Sequence, residues 1–333
     1  MNALERVTSA FACNIEKEIP SAIFGGGAWA VYNLNETFQS TIKDAKKLAS
    51  IFLGGRELHN SDILFVGSGF NNFLAASLGS KLRFPSIGPP QVEKPALNCR
   101  KTEISIDLQK IKRDPKIKNI QKAYKIAHKR AEEKKFMPAL TCWGPFTLAS
   151  QLAGTENLML LLKTDKSFCR ELVDFAKDAI LEFYEPLLKE NMPELASIAE
   201  ANASADLISI KDFKTFSLPY LNKIIGRIRR SGAHVLLHAC GDVNDRAELL
   251  LSTKPSCLSI DYKTDLEVIK KVNARTCIAG NMKAMLLLKS RREVEKNANE
   301  CLRKGGNRGY ILMPGCDAPP KAKLENLKAF VNS

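Results

Sequence analysis

His238 and Cys240, two residues apart in HVLLHACGD, and Cys316, about 75 residues further on in YILMPGCD, are the side chains best suited to hold a soft divalent metal. One imidazole and two thiolates fit a tetrahedral zinc ion with a fourth position left for an oxygen ligand or a substrate, which is the pattern of a catalytic site. The spacing matches no compact zinc finger, and a cysteine is as readily a small core residue as a ligand. The metal reading therefore depends on where these residues fall along the fold.

Other side chains offer two roles each. Glu200, in IAEANAS, supplies either a fourth zinc bond or an acid, or else caps the following turn. Asp261 and Asn281 either orient a substrate or cap a helix or Asx-turn. Trp143, before Gly144-Pro145, belongs to a pocket wall or to the core. Cys13, Cys99, Cys142, Cys169, Cys257, Cys277 and Cys301 read as structural, since nothing places them beside a base or another ligand. His59 and His128 lie in charged stretches and are expected at the surface. Gly67-Ser68-Gly69 is too short for a nucleophile elbow, so a Ser-His-Asp arrangement finds no support.

The elements that must position these groups alternate. Eight short apolar or β-branched runs occur: Ile19 to Phe24, Asp62 to Val66, Pro138 to Trp143, Leu195 to Glu200, His234 to His238, Cys257 to Asp261, Thr276 to Ala279 and Tyr310 to Met313. Each is followed by turn residues and usually by helical periodicity, the count and order of an α/β fold of the (β/α)8 TIM-barrel type. The sequence predicts one domain over residues 1–333, with an N-terminal extension and a long insertion after the second strand. That insertion, Gly67 to Phe136, contains Pro85, Pro89, Pro90 and Pro95 and would serve as a lid or partner surface. A doubly wound sheet gives similar alternation, but no GxGxxG follows the first run and no GxxxxGK[ST] occurs.

In a barrel the chemistry sits where strands end and βα loops begin. Strand alternation puts His238 and Cys240 on the same inward face as His234, and Cys316 follows the end of its own run.

Composition narrows the class. With 45% hydrophobic and 26% charged residues the chain is globular rather than disordered. No signal peptide or membrane span is visible, and nine cysteines without regular spacing fit a reducing cytoplasm. The net charge of +14 invites a nucleic-acid reading. Much of the excess is concentrated in Lys110 to Lys135, where Ile117, Ile120, Ala123, Tyr124, Ala127 and Ala131 recur at helical spacing, so a solvated helix face explains it, with docking to an acidic protein or equally to nucleic acid as the other reading.

HACGD, SIDYKTDL, IAGNM and ILMPGCDAPPKAKLENLKAFV together resemble the uroporphyrinogen decarboxylase superfamily and, within it, the methylcobamide:coenzyme M methyltransferase branch. The ERV start, WGPFTLASQLAG and ASADLISIKDFKTFSLPYL extend the resemblance over most of the chain, least over the basic stretch. It implies a (β/α)8 barrel whose zinc is held by His238, Cys240 and Cys316. It also implies a methylcobamide donor carried by a partner corrinoid protein, and a small thiol such as coenzyme M that attacks the methyl carbon as a thiolate. Glu200 stands where relatives usually have an aspartate, and differences around the pocket leave the accepted thiol open.

Two alternatives compete. The porphyrinogen decarboxylases of this superfamily use no metal and carry an arginine motif near the first strand, whereas IPSAIFGGGAWAVYN stands here and no arginine occurs between Arg6 and Arg56. A basic binding module without catalysis would require strong salt-dependent binding to nucleic acid, for which no recognisable motif is present.

Overall fold

Seven of the eight apolar runs form strands of a single parallel sheet. The structure, a computed structural model, describes residues 1–97, 103–272 and 275–333, so Cys99 lies outside the described residues. Its strands are β1 (Ile63–Val66), β2 (Lys81–Arg83), β3 (Gln91–Lys94), β4 (Met137–Trp143), β5 (Leu195–Glu200), β6 (His234–Ala239), β7 (Cys257–Ile260), β8 (Cys277–Met282) and β9 (Tyr310–Pro314). The large sheet runs β1-β4-β5-β6-β7-β8-β9, every neighbouring pair parallel. Spatial order thus follows chain order, as helical crossovers between consecutive parallel strands require.

The run Ile19 to Phe24 is the exception to the expected strands. Only Ser21 pairs, in parallel with Leu312. Ala22 N–H donates to Leu312 O at 2.9 Å, Leu312 N–H donates to Pro20 O at 2.9 Å, and on the other side Asp62 N–H donates to Ser21 O at 2.9 Å. Side chains replace the rest of the ladder: Ser21 N–H donates to Asp62 Oδ2 at 2.9 Å and Ile23 N–H to Ser61 Oγ at 3.0 Å. The segment therefore bridges the two edges of the curled sheet, β9 and the start of β1, without being a regular strand.

Alternation decides what the inside contains. Ile63 and Phe65, Met137 and Ala139, Leu195, Leu236, Cys257, Cys277, Ala279, Ile311 and Met313 form one apolar cluster with Ala22 and Phe24. The helix Ala3–Phe11, started by the Asn2–Glu5 capping box, adds Val7, Ala10 and Phe11 to that cluster. It sits at the N-terminal ends of the strands: Leu4 N–H donates to Lys135 O at 2.8 Å, and the Phe11 ring lies 5.0 Å from that of His234. One end of the sheet is thereby plugged, and only the end where the strands finish is left for chemistry.

After β1 the chain forms the short helix Asn72–Ser77, the antiparallel pair β2–β3, and the helices Gln109–Arg113 and Pro115–Lys134. The last of these starts where Asp114 accepts from Lys116 N–H at 2.7 Å with Pro115 in the first turn, and it ends at Lys135 in the left-handed conformation. The six apolar residues at helical spacing, Ile117 to Ala131, face inward, Ile126 does not, and Lys116, Lys118 and Lys122 are exposed. Lys125 pairs with Glu190 and Arg130 with Glu133, so the basic stretch is in the main a solvated face.

His59 does not lie at the surface. It ends the helix Ala45–His59 on the face that also carries Leu48, Ile51, Phe52 and Gly55, and only 6% of it is exposed. Its Nδ1 is 2.8 Å from Ser61 Oγ and its ring is 5.7 Å from that of Trp29. The charged neighbours Arg56 and Glu57 conceal a three-and-four spacing that turns position 59 inward. Burial pushes its pKa down to about 3, aided by Arg56. His128 is half-buried, 3.7 Å from Glu194. Cys142, Cys169, Cys257, Cys277 and Cys301 are buried free thiols and Cys13 is partly exposed. Among the described residues no helix is long and apolar enough to cross a membrane.

Candidate metal centre

The last turn of β6 and the loop after β9 meet above the apolar interior. β6 places His238 opposite Ala199 of β5 and Ser259 of β7. The inward alternation that carries Leu236 into the core carries His238 to its upper edge and Cys240 just beyond it. Cys316 arrives from the turn Gly315–Asp317. One ligand atom each from His238, Cys240 and Cys316 lie within 4.8 Å of one another, and among the described residues this is the only such group. His238 Nε2 is 3.0 Å from Cys240 Sγ.

Each side chain is held from outside the cluster. His238 is 1% exposed; its Nδ1 is 2.9 Å from Ser259 Oγ, and its ring packs 4.2 Å from that of Phe24. Nε2 is thereby the nitrogen left facing the sulfurs. The hydrogen bond from Cys240 pulls the Cys316 thiol well down against the cost of burial, with His238 contributing in the same direction. Cys240 is pushed up by that same hydrogen bond and by burial. The two thiols and the imidazole nitrogen thus converge closely enough to serve as one ligand set. A soft nitrogen-and-sulfur set in this density, oriented through its second imidazole nitrogen, fits zinc.

The remaining sequence-singled residues fall around the cluster rather than in it. Glu200 points the other way, because Ala199 takes the inward position on β5. Its Oε1 accepts from Thr147 N–H at 2.7 Å and from the Thr147 hydroxyl, and its Oε2 accepts from Phe146 N–H at 3.1 Å. It thus caps the helix Pro145–Ala153, and desolvation raises its pKa to about 7 against those hydrogen bonds. Asp261 accepts from Gly241 N–H at 3.0 Å, steadying the loop after Cys240. Burial first, and then Cys316, push its carboxyl up. Asn281 donates to Thr264 O at 2.8 Å and ties two loops together. Trp143 lines the cavity over the cluster, its indole N–H donating to Asn72 Oδ1 at 2.7 Å.

That cavity holds about 170 Å³ and is walled by Phe24, Phe65, Trp143 and Ala199, with His238, Cys240 and Cys316 at its base. Three of its features escape the sequence reading. Asp317 follows Cys316 directly, is open to solvent through the mouth, and has its carboxyl pushed up by the crowding protein and by Cys316. Gly25, at φ +71°, lies against it: a Cβ there would stand 2.0 Å from Asp317 Oδ1. Thr141 faces in from β4, two positions before Trp143, and strand alternation was the signal that would have found it.

Comparison with known proteins bears on the family and the fold. The family model described as uroporphyrinogen decarboxylase (URO-D) matches residues 15–333. A methylated-thiol–coenzyme M methyltransferase of Methanosarcina mazei is 26% identical over 199 residues, 59% of this chain and 52% of that protein. A methylcobamide:CoM methyltransferase (MtaA) of Methanosarcina barkeri is 30% identical over 198 residues, 56% of this chain and 55% of its own. The chain therefore spans about half the length of these curated relatives. A solved methyltransferase from Methanosarcina mazei superposes with a TM-score of 0.87 at 20% identity, covering 100% of this chain and 98% of that one, which shows a shared fold.

Proposed function

The chain belongs to the uroporphyrinogen decarboxylase family, and from that premise we propose that it is a zinc-dependent methyltransferase moving a methyl group from a methylated corrinoid, carried by a partner protein, to a small thiol. The observation that carries this reading is the convergence of His238, Cys240 and Cys316 within 4.8 Å at the ends of the strands, over a plugged apolar interior. We also read the curled sheet, with residues 19–24 bridging its edges, as a (β/α)8 barrel, which makes this the functional end.

His238 Nε2, Cys240 Sγ and Cys316 Sγ would hold the zinc, leaving a fourth position towards the cavity. Held by these residues, a zinc ion would keep an acceptor thiol deprotonated at neutral pH, where a free thiol of pKa about 8.5 is mostly protonated. The protein's own groups do the positioning. Ser259 and Phe24 fix the imidazole plane and its donor nitrogen. Phe65, Trp143 and Ala199 exclude water from the acceptor sulfur, which strengthens its nucleophilic character. Asp261 holds the Gly241 amide and so the direction of the Cys240 loop.

Size and charge favour methyl transfer over decarboxylation of a tetrapyrrole. A cavity of about 170 Å³ accommodates a small thiol but lies below the roughly 300–1,000 Å³ of pockets for larger ligands. None of its described lining residues is an arginine or lysine to pair with the carboxylates of a porphyrinogen.

Elemental analysis of the purified wild type and of Cys316→Ala, alongside thiol methylation by methylcobalamin, tests the proposal. One zinc per chain and methyl transfer in the wild type, both lost in the variant, are expected. A wild type without zinc, or a zinc-free variant that still methylates thiols, would overturn it.

A further inference from the structure

The lining of the cavity also constrains the acceptor. Resting on the methyltransferase reading above, we infer that the acceptor thiol carries a neutral or amine-bearing tail, and that a sulfonate or carboxylate tail is selected against. Two thiolates would neutralise a divalent zinc, and the acceptor thiolate would add a further negative charge. An anionic tail a few atoms from that sulfur needs a cation or a dense set of fixed donors in a pocket walled by Phe24, Phe65 and Trp143. Among the described residues lining the cavity none is lysine or arginine, and the one carboxyl side chain among them is that of Asp317.

What the wall does offer is neutral. Thr141 Oγ1 and Asn71 Oδ1 belong to lining residues, and neither atom has a hydrogen-bond partner within the protein. Buried polar atoms are rarely left so, and each is costly unless something satisfies it. A hydroxyl that both donates and accepts, a carboxamide, and a carboxyl group at the mouth together suit a hydroxyl, amide or ammonium tail. Phe24, Phe65 and Ala199 add apolar wall against which a short carbon linker would pack.

The test is isothermal titration of the zinc-loaded full chain, without oxygen, with cysteamine, 2-mercaptoethanol, ethanethiol and 2-mercaptoethanesulfonate. Cysteamine and 2-mercaptoethanol are expected to bind at least tenfold more tightly than the sulfonate. Thr141→Val is expected to weaken 2-mercaptoethanol several-fold while leaving ethanethiol, which has no polar tail, unchanged. Equal or tighter binding of the sulfonate, or no preference among the thiols in a chain holding one zinc, overturns this inference and leaves the parent reading standing. A chain that holds no zinc overturns both.

Discussion

The Nδ1 of His238 and the hydroxyl of Ser259 lie 2.9 Å apart across the β6–β7 pair, and this contact decides which imidazole nitrogen faces the two cysteines. A partner on the far nitrogen of a metal-binding histidine fixes its ring and its tautomer, and losing such a partner typically costs about 10–100-fold in affinity. Ser259→Ala is therefore expected to bind zinc about 10–100-fold more weakly with unchanged folding. Competition with a chromophoric chelator measures this; wild-type affinity in the variant would show that Phe24 packing alone orients the ring.

Gly25 is expected to tolerate no side chain. Its φ of +71° already disfavours other residues, and a Cβ would stand 2.0 Å from Asp317 Oδ1 and 3.1 Å from Asp317 Cα. Gly25→Ala should shift the Asp317 turn that carries Cys316, costing about 1–3 kcal/mol of stability and weakening zinc binding. Thermal unfolding with and without zinc separates the two effects.

Glu200 should make stability fall as pH rises. Its folded pKa of about 7 lies above the value of 4.5 for an unperturbed side chain, so the folded state binds the extra proton between these values. The contribution is fully present below about 4.5 and is lost as pH climbs through about 7, amounting to roughly 3 kcal/mol. Urea unfolding across that window should show the slope, and Glu200→Gln should flatten it while retaining one acceptor for the Phe146 and Thr147 amides.

His59 acts with the opposite sense. Its folded pKa of about 3 lies below the ordinary 6.5, so the unfolded chain binds the proton first. Stability from the neutral, buried ring is complete above about 6.5 and is lost as pH falls towards about 3. His59→Gln is expected to lessen the acid sensitivity between pH 6 and 4, read by Trp29 fluorescence in a Trp143→Phe background. An unchanged acid transition would show that other groups control it.

The sequence by itself determined the seven strands of the large sheet, the helix Pro115–Lys134 and the inward face of His238 and Cys240, because all of these rest on local periodicity: two residues for strands, three to four for helices. It also determined that Cys316 follows a strand end. Tertiary structure alone decided the rest. Residues 19–24 have the composition of a strand, but bonds to the Asp62 and Ser61 side chains take the place of part of the backbone ladder, and no local rule foresees a side chain about forty positions away. Glu200 offered two roles to a reader of the chain; the distant amides of Phe146 and Thr147 chose the cap. His59 went inward on the register of its helix against the charge of its neighbours. The cavity wall, with Thr141 and Asn71 beside Asp317 and no described lysine or arginine, exists only once strands remote in sequence close around it, because charge complementarity is a property of the assembled surface and not of any one segment.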